Sequence, residues 1–330
     1  MKVCIITEGS AKLGFGHISR CTSLYQAFEE KKIIPNFIIN GDEIASLMEV
    51  KNYVILDWVK NELELIKQIK NSEIAIVDSY LAGFPIYERI VENVKLAAFI
   101  DDNMRINYPY GIVINGNIHA LELNYFNSPK TDYLLGPQFS MLKKDFWEIP
   151  LRTVNKEIKT ILITLGGSDL RNLTPEILKL LIDEFPEIFK KVIIGSSFKN
   201  IKEIENVADK STELIYFPLA SRMKKEILAS DIAITTGGQT VYELAALGIP
   251  TITIAVADNQ LHNVKSFDKL GYNYYAGWWE DKNLITNIKG RILDLKLRKT
   301  RKIMIEKGRK IVIPDGSRSI VNYLIKKLKE

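Results

Sequence analysis

Apolar and polar positions follow two alternating periods along this chain. Short runs that are apolar on both faces recur at Val3–Thr7, Asn36–Ile39, Tyr53–Leu56, Ile74–Asp78, Leu96–Asp101 and Ile112–Ile114. Such runs predict strands of a parallel sheet covered on both sides. Helical spacing fills the gaps, over about 18–30, Leu63–Ile69 and Pro85–Val94, with Pro85 suited to a first helical turn. A polar stretch from about Lys143 to Ile158, carrying Pro150, reads as a linker. The scheme then repeats. Strands are expected at Thr160–Thr164, Val192–Gly195, Leu214–Tyr216, Ile232–Thr235 and Thr251–Ile254. Helices are expected at Pro175–Glu184, Ile201–Ala208, Ser221–Ala229, Thr240–Leu247 and Leu261–Leu270, and a last amphipathic helix at Arg318–Leu328. The pattern predicts an α/β protein of two Rossmann-like, doubly wound parallel-sheet domains, 1–150 and 151–330, facing across a cleft. The last helix, about 316–330, is a candidate to pack back on the first domain. Ligands of such folds bind beyond the carboxyl ends of the strands, so the cleft is the expected site.

Composition narrows the class without naming a chemistry. A chain of 330 residues is longer than one core usually grows. The apolar fraction of 46% is that of a globular protein. No apolar run is long enough for a membrane span, and the first residues read as a strand rather than a signal-peptide layout. Cys4 and Cys21 are the two cysteines. They support neither a disulfide framework nor a zinc site, and they fit a reducing cytoplasm. The net charge of +5 is mild. The basic runs Lys296–Lys310 and Lys326–Lys329 read as solvated helix faces, an anionic ligand also being compatible. No basic and aromatic stripe points to nucleic acid.

The candidate chemistry lies where strands turn into helices. Gly14-Phe15-Gly16-His17-Ile18-Ser19-Arg20 follows the first strand and opens a helix. Backbone N–H groups converge at such a turn and welcome an anion. A neutral imidazole there would serve as a general base, the alternative being a glycine turn with a capping histidine. Leu165-Gly166-Gly167-Ser168-Asp169 ends another strand. Its glycines permit close backbone approach, and Asp169 either meets a ligand or caps the next helix. Thr235-Thr236-Gly237-Gly238-Gln239-Thr240-Val241-Tyr242-Glu243 has the layout of a phosphate cradle at a helix start. Glu243 lies one turn in, within reach of a ribose diol, or is only a favourable first-turn charge. Gly195 ends a strand on the same side. In Asp258-Asn259-Gln260, Asn259 is a plausible cap and Gln260 a plausible base or phosphate contact. Asp78-Ser79-Tyr80, Asp101-Asp102-Asn103 and Asn115-Gly116-Asn117 end strands of the first half. Sugar-hydroxyl or structural hydrogen bonding suits these better than metal, since no third carboxylate stands at a readable spacing. His17, His119 and His262 are the only histidines and form no zinc pattern. Neither a G-x-S-x-G element nor a Walker A lysine motif is present. No metal and no cofactor is therefore expected.

Taken in order, Gly14-Phe15-Gly16-His17-x-x-Arg20-Cys21, Asp78-x-Tyr80, Asp101-Asp102, Asn115-x-Asn117, Gly166-Gly167-Ser168-Asp169, Glu243 and Asn259-Gln260 resemble the PseG-like UDP-sugar hydrolases and the SpsG spore-coat polysaccharide proteins. Both are related to the MurG glycosyltransferases of the GT-B superfamily. The resemblance runs from Lys2 to about Tyr275. It implies hydrolysis of UDP-2,4-diacetamido-2,4,6-trideoxy-β-L-altrose or a similar UDP-sugar at C1–O. The reaction would invert the anomer, need no metal, and serve pseudaminic acid or surface polysaccharide biosynthesis. His17 matches the family's base and Tyr80 a tyrosine that helps position water. Gly14, Gly16, Arg20, Asp78, Asp101, Asp102, Asn115, Asn117 and Lys143 are then expected on the sugar side. Gly166, Gly167, Ser168, Asp169, Gly195, Gly237, Gly238, Gln239, Thr240, Glu243, Asn259 and Gln260 are expected around the nucleotide.

This chain also departs from that pattern. Phe139-Ser140-Met141-Leu142-Lys143 lacks a tyrosine and an arginine that the family shows, and Lys does not replace a planar guanidinium. Gly111 stands where an aspartate is common. Both changes are expected to bear on the sugar. Two other classes share the same motifs. One is a GT-B glycosyltransferase, which would use the base on an acceptor hydroxyl. For a membrane acceptor it would carry an exposed apolar patch flanked by basic residues, of which Lys31-Lys32-Ile33-Ile34 is the one weak candidate. The other is a non-catalytic nucleotide-sugar binder, which would not need His17. A UDP-sugar is the expected partner, with no nucleic acid and no membrane insertion. The oligomeric state is open, a monomer being compatible.

Overall fold

The computed structural model describes residues 1–10, 15–41, 50–125 and 128–330. They divide into two units, Met1–Trp147 with Ile313–Glu330, and Glu148–Val312.

In the first unit, strands β1 (Val3–Gly9), β2 (Asn36–Gly41), β3 (Tyr53–Ile55), β4 (Ile74–Asp78), β5 (Leu96–Ile100), β6 (Gly111–Asn115) and β7 (Thr131–Leu135) form one sheet. Its order is β3-β2-β1-β4-β5-β6-β7 and every pair is parallel. Successive residues of a strand point to opposite faces. Val3, Ile5, Ile74, Ile76, Ile112 and Ile114 meet α1 (Gly16–Glu30) and α11 (Gly316–Lys327) on one face. Cys4, Ile6, Ala75, Val77 and Val113 meet α2 (Glu62–Ile69) and α3 (Phe84–Asn93) on the other. This is why the strands read as apolar throughout. Each fully buried aliphatic side chain contributes about 1.5–3 kcal/mol.

Helix α1 ends because Lys32 adopts a left-handed conformation (φ 63), with Lys32 N–H donating to Glu29 O and Ile33 N–H to Phe28 O. Helix α11 is bound into this unit by Ile320, Val321 and Leu324. Ser317 Oγ bonds Ser23 Oγ at 2.9 Å, and Arg318 is paired with Glu30 and lies 4.3 Å over the Trp147 ring.

The second unit holds β8 (Thr160–Thr164), β9 (Phe189–Ile194), β10 (Thr212–Tyr216), β11 (Ile232–Thr236), β12 (Thr251–Ala255) and β13 (Asn273–Trp278). They form a parallel sheet of order β10-β9-β8-β11-β12-β13. Its helices are α4 (Thr174–Glu184), α5 (Ile201–Val207), α6 (Ala220–Leu228), α7 (Gln239–Leu247), α8 (Asp258–Lys269), α9 (Leu284–Leu295) and α10 (Arg298–Ile311). Helices α4, α5 and α9 share the core under Ile163, Ile234 and Ile252, and α7 packs with α10. The expected fold class holds for both units.

Strands β7 and β13 and helix α9 were not expected. The first two have few aliphatic residues, with Asp132 in one and an Asn-Tyr-Tyr start in the other. Strand β9 begins earlier than its apolar run because Lys190 and Lys191 lie within it. The Lys190 side chain is fully buried, and its ammonium donates to Ser211 Oγ at 2.8 Å. The basic run of α10 is only half what its composition suggests. Its lysines are exposed, but its arginines hold the preceding linker by backbone carbonyls. Arg298 donates to Val154 O at 3.0 Å, Arg301 to Lys156 O at 2.9 Å and Arg309 to Pro150 O at 3.1 Å. Arg301 is 1% exposed, so the reading of this run as a solvated face is corrected there. Among the described residues no helix is long and apolar enough to cross a membrane.

Candidate active site

In each sheet the strand order reverses at one point, between β1 and β4 and between β8 and β11, and the crevice beyond their carboxyl ends is where such folds bind ligands.

In the first unit that edge gathers the side chains. His17, in the first turn of α1, has Nδ1 2.7 Å from Asp78 Oδ1 at the end of β4. Arg20, one turn on, donates from Nε to Asp78 Oδ2 at 2.6 Å and from Nη2 to Asp78 Oδ1 at 2.7 Å. Its Nη1 meets both oxygens of Asp102 at 2.8 Å. Arg20 Nη2 also lies 3.0 Å from His17 Nδ1. That nitrogen cannot both donate and accept. The carboxylate is nearer and takes its proton, so the neutral ring keeps its lone pair on Nε2. The phenol of Tyr80 donates to Asp102 Oδ2, and its ring stands edge-on to His17 with centroids 4.6 Å apart. Asn117 Nδ2 donates to Asp102 Oδ1 at 2.7 Å.

The charges of this cluster are set by one another. Burial alone would raise the Asp78 pKa, but the Arg20 guanidinium charge, with the hydrogen bonds from Arg20 and the His17 ring, outweighs it and holds Asp78 well below the usual carboxylate range. Asp102 is lowered in the same way, burial and Asp78 opposing Arg20 and the Tyr80 hydrogen bond. Burial disfavours the Arg20 charge, yet the two carboxylates push its pKa well above the ordinary value. Burial and the adjacent Asp102 charge push the Tyr80 phenol up, so it remains a proton donor.

The other first-unit residues fall into place less uniformly. Gly14 lies outside the described residues. Gly16 begins α1 with open space where a side chain would be. Asn115 Nδ2 donates to Asp102 O at 3.0 Å and to Tyr125 Oη at 2.8 Å, and its Oδ1 accepts from Asn117 N–H. Asp101 is turned inward. It accepts from the backbone of Met104 and Arg105 and from the phenols of Tyr108 and Tyr125, bonds that leave it a structural part. Among the described residues, no hydrogen bond or ion pair joins the Lys143 side chain to the cluster. Gly111 begins β6 at the opposite edge of the sheet. A Cβ there would meet Ala97 O at 2.6 Å, so this departure is a matter of strand packing, not of the sugar.

At the second unit's reversal point the lining is backbone and amide. A Cβ on Gly237 would meet Val264 Cγ1 at 2.6 Å and Gln260 Cβ at 2.9 Å. Gly237 N–H donates to Gln260 Oε1 at 3.2 Å and Gly237 O accepts from Asn263 Nδ2 at 3.4 Å. Its own N–H is therefore taken. Gly238, at the N-cap of α7, has open space around it, and the first turn of the helix points its backbone N–H groups the same way. Glu243 is half-buried on α7. Gly195 is required because a Cβ there would meet Gly167 O at 2.4 Å, a packing role next to Gly166 and Gly167. Ser168 is half-buried beside them. Asp169 takes the capping alternative: it accepts Leu173 N–H and Thr174 N–H at 3.0 Å and Asn200 Nδ2 at 2.8 Å. Asn259 does not cap α8. Ala257 does, and Asn259 is exposed in the first turn. Gln260 is bonded internally, to Gly237 N–H and to Val256 N–H at 3.4 Å.

Sequence reasoning missed Glu8, Asn263 and Tyr125. Glu8 offered one signal, a carboxylate ending an apolar strand as Asp78 does. Asn263 and Tyr125 offered none, since their partners are distant in the chain.

The fold of the two parallel-sheet units is of the GT-B type. Residues 160–312 match the glycosyltransferase family 28 C-terminal domain. An uncharacterized protein of Methanocaldococcus jannaschii is 30% identical over 271 residues, 77% of this chain and 55% of that protein, so the chain spans about half of it. The spore coat polysaccharide biosynthesis protein SpsG of Bacillus subtilis is 26% identical, covering 82% of each. The UDP-2,4-diacetamido-2,4,6-trideoxy-beta-L-altropyranose hydrolase of Campylobacter jejuni is 24% identical over 82% of this chain and 98% of its own. Among solved structures, MnaA of S. aureus with UDP superposes with a TM-score of 0.70 at 14% identity, covering 100% of this chain and 97% of its own. MurG of Acinetobacter baumannii gives 0.66 at 14% identity, covering 99% and 100%. The chain is thus a homologue of the PseG- and SpsG-like proteins, and its fold is that of the GT-B glycosyltransferases.

Proposed function

We propose that this protein hydrolyses a UDP-linked deoxy-acetamido sugar at C1–O, releasing UDP and the free sugar with inversion. The observation that carries the reading is the His17–Asp78 pair. It fixes the imidazole tautomer and leaves Nε2 to accept a proton. In the step, water attacks C1 and gives its proton to Nε2 as the C1–O bond breaks and the electron pair leaves with UDP. A positioned base of this kind contributes about 10²–10⁴-fold. Tyr80 orients the water, and Gly16, Arg20, Asp102 and Asn117 shape the sugar side. Gly238, Gln239, Thr240 and Glu243 bind the nucleotide, where fixed dipoles at the α7 start stabilise the leaving diphosphate. Kinship with a protein named as an altropyranose hydrolase supports this reading. Cytoplasmic residence goes with it, supported by two free, buried thiols. The match to a glycosyltransferase domain supports a second reading, transfer to an acceptor hydroxyl.

NMR of UDP release from a panel of UDP-sugars separates them. Release without acceptor, with the anomer inverted, is the expected result. Release only with an acceptor makes the protein a transferase, and UDP binding without release makes it a binder.

A further inference from the structure

Glu8, the penultimate residue of β1, is completely buried, and among the described residues no cation is paired with it. A buried carboxylate without a counter-charge is costly unless hydrogen bonds satisfy it. Among the described residues, its bonds go to the loop that follows β4. Oε1 accepts Tyr80 N–H at 2.6 Å and Leu81 N–H at 3.2 Å, and Oε2 accepts the Ser79 hydroxyl. Ser79 Oγ already accepts Leu81 N–H and Ala82 N–H, each at 3.0 Å. Its lone pairs are occupied, so its proton must go to an acceptor. Both oxygens of Glu8 must accept, and a glutamine would turn an N–H₂ donor on this loop. Strand pairing sets Thr7 of β1 opposite Asp78 of β4, which brings Glu8 beside Ser79.

We propose that Glu8 is a positioning residue that holds the Ser79–Ala82 turn so that Tyr80 stands edge-on to His17 and bonds Asp102. Its carboxylate acts through the Tyr80 backbone and touches none of the reacting atoms. The inference rests on the hydrolytic reading of His17 and Tyr80.

The test compares the full-length wild type with Glu8→Gln, Tyr80→Phe and the double variant. Glu8→Gln is expected to lower kcat on the order of 10²-fold, the effect of a small misplacement at a site. KM and UDP affinity should stay unchanged. The double variant should be no slower than the worse single one, because the two residues act as a unit. Multiplying effects, an unchanged kcat, or a parallel loss of UDP affinity overturns the proposal. If Glu8→Gln does not fold, Ser79→Ala takes its place, with the same non-additivity with Tyr80→Phe expected and full activity overturning it. A readout independent of turnover separates this inference from the hydrolase reading. The His17 ring-proton resonances are expected to move in Tyr80→Ala, which removes the ring 4.6 Å away, and in the same direction in Glu8→Gln. Unmoved resonances overturn the positioning role, whereas absence of UDP release by the wild type overturns only the hydrolase reading.

Discussion

At the carboxyl edge of the first sheet, His17, Arg20, Asp78, Tyr80 and Asp102 hold one another through charged hydrogen bonds. At the corresponding edge of the second sheet, glycine backbone is held by the neutral amides of Gln260 and Asn263. The two sheets have the same reversal in strand order, so topology does not account for the difference. Side chains at the strand ends do. A proton acceptor has to be fixed in tautomer and orientation, which buried charges achieve at the cost of desolvation. An anion cradle has to keep backbone donors clear, which glycine achieves. Under the proposed function, proton chemistry belongs to one unit and nucleotide binding to the other.

The largest effect should come from His17→Ala. Turnover should fall about 10²–10⁴-fold while UDP affinity, read by calorimetry, is unchanged. A parallel loss of UDP binding would break the division of labour.

Asp78→Asn tests the charged side of the comparison. It leaves Arg20 short of a buried partner and should lower stability by about 3–5 kcal/mol at neutral pH, measured by denaturant unfolding. The sign with pH follows from the lowered Asp78 pKa. Its folded value lies below the unfolded value of about 3.9, so the stabilisation is full above that pH and is lost as pH falls below it. The wild type should therefore lose stability on acidification below about pH 4. The variant should be weaker at neutral pH and flatter in that window, and equal slopes would rule out the ion pair as the source.

The smallest effect tests the neutral side. Glu243→Ala should weaken UDP binding about tenfold or more, the loss of one hydrogen bond to a charged group, with kcat at saturating substrate little changed. Unaltered affinity would return Glu243 to a helix charge.

Much of the fold could be read from the chain, because strands such as Ile74–Asp78 are apolar on both faces wherever helices cover both. The elements that escaped were those whose composition contradicts their place. Lys190 is buried inside β9, and Arg301 is buried in α10 as a donor to the linker. Of the candidate site, the positions of His17, Arg20, Asp78, Tyr80 and Asp102 at strand ends or a helix start were legible. Their mutual bonding was not, nor were the inward turn of Asp101, the capping by Asp169 and the engagement of the Gly237 N–H. Each of these depends on a partner distant in the chain, such as Tyr125, Asn200 or Gln260.

The sequence by itself determined two doubly wound units and the positions where chemistry gathers, because periodicity and turn residues act locally. Only the tertiary structure decided which carboxylates face His17, which are spent on backbone, and that Glu8 serves the Tyr80 loop. Those choices depend on which strands lie side by side, and that depends on packing of the whole unit.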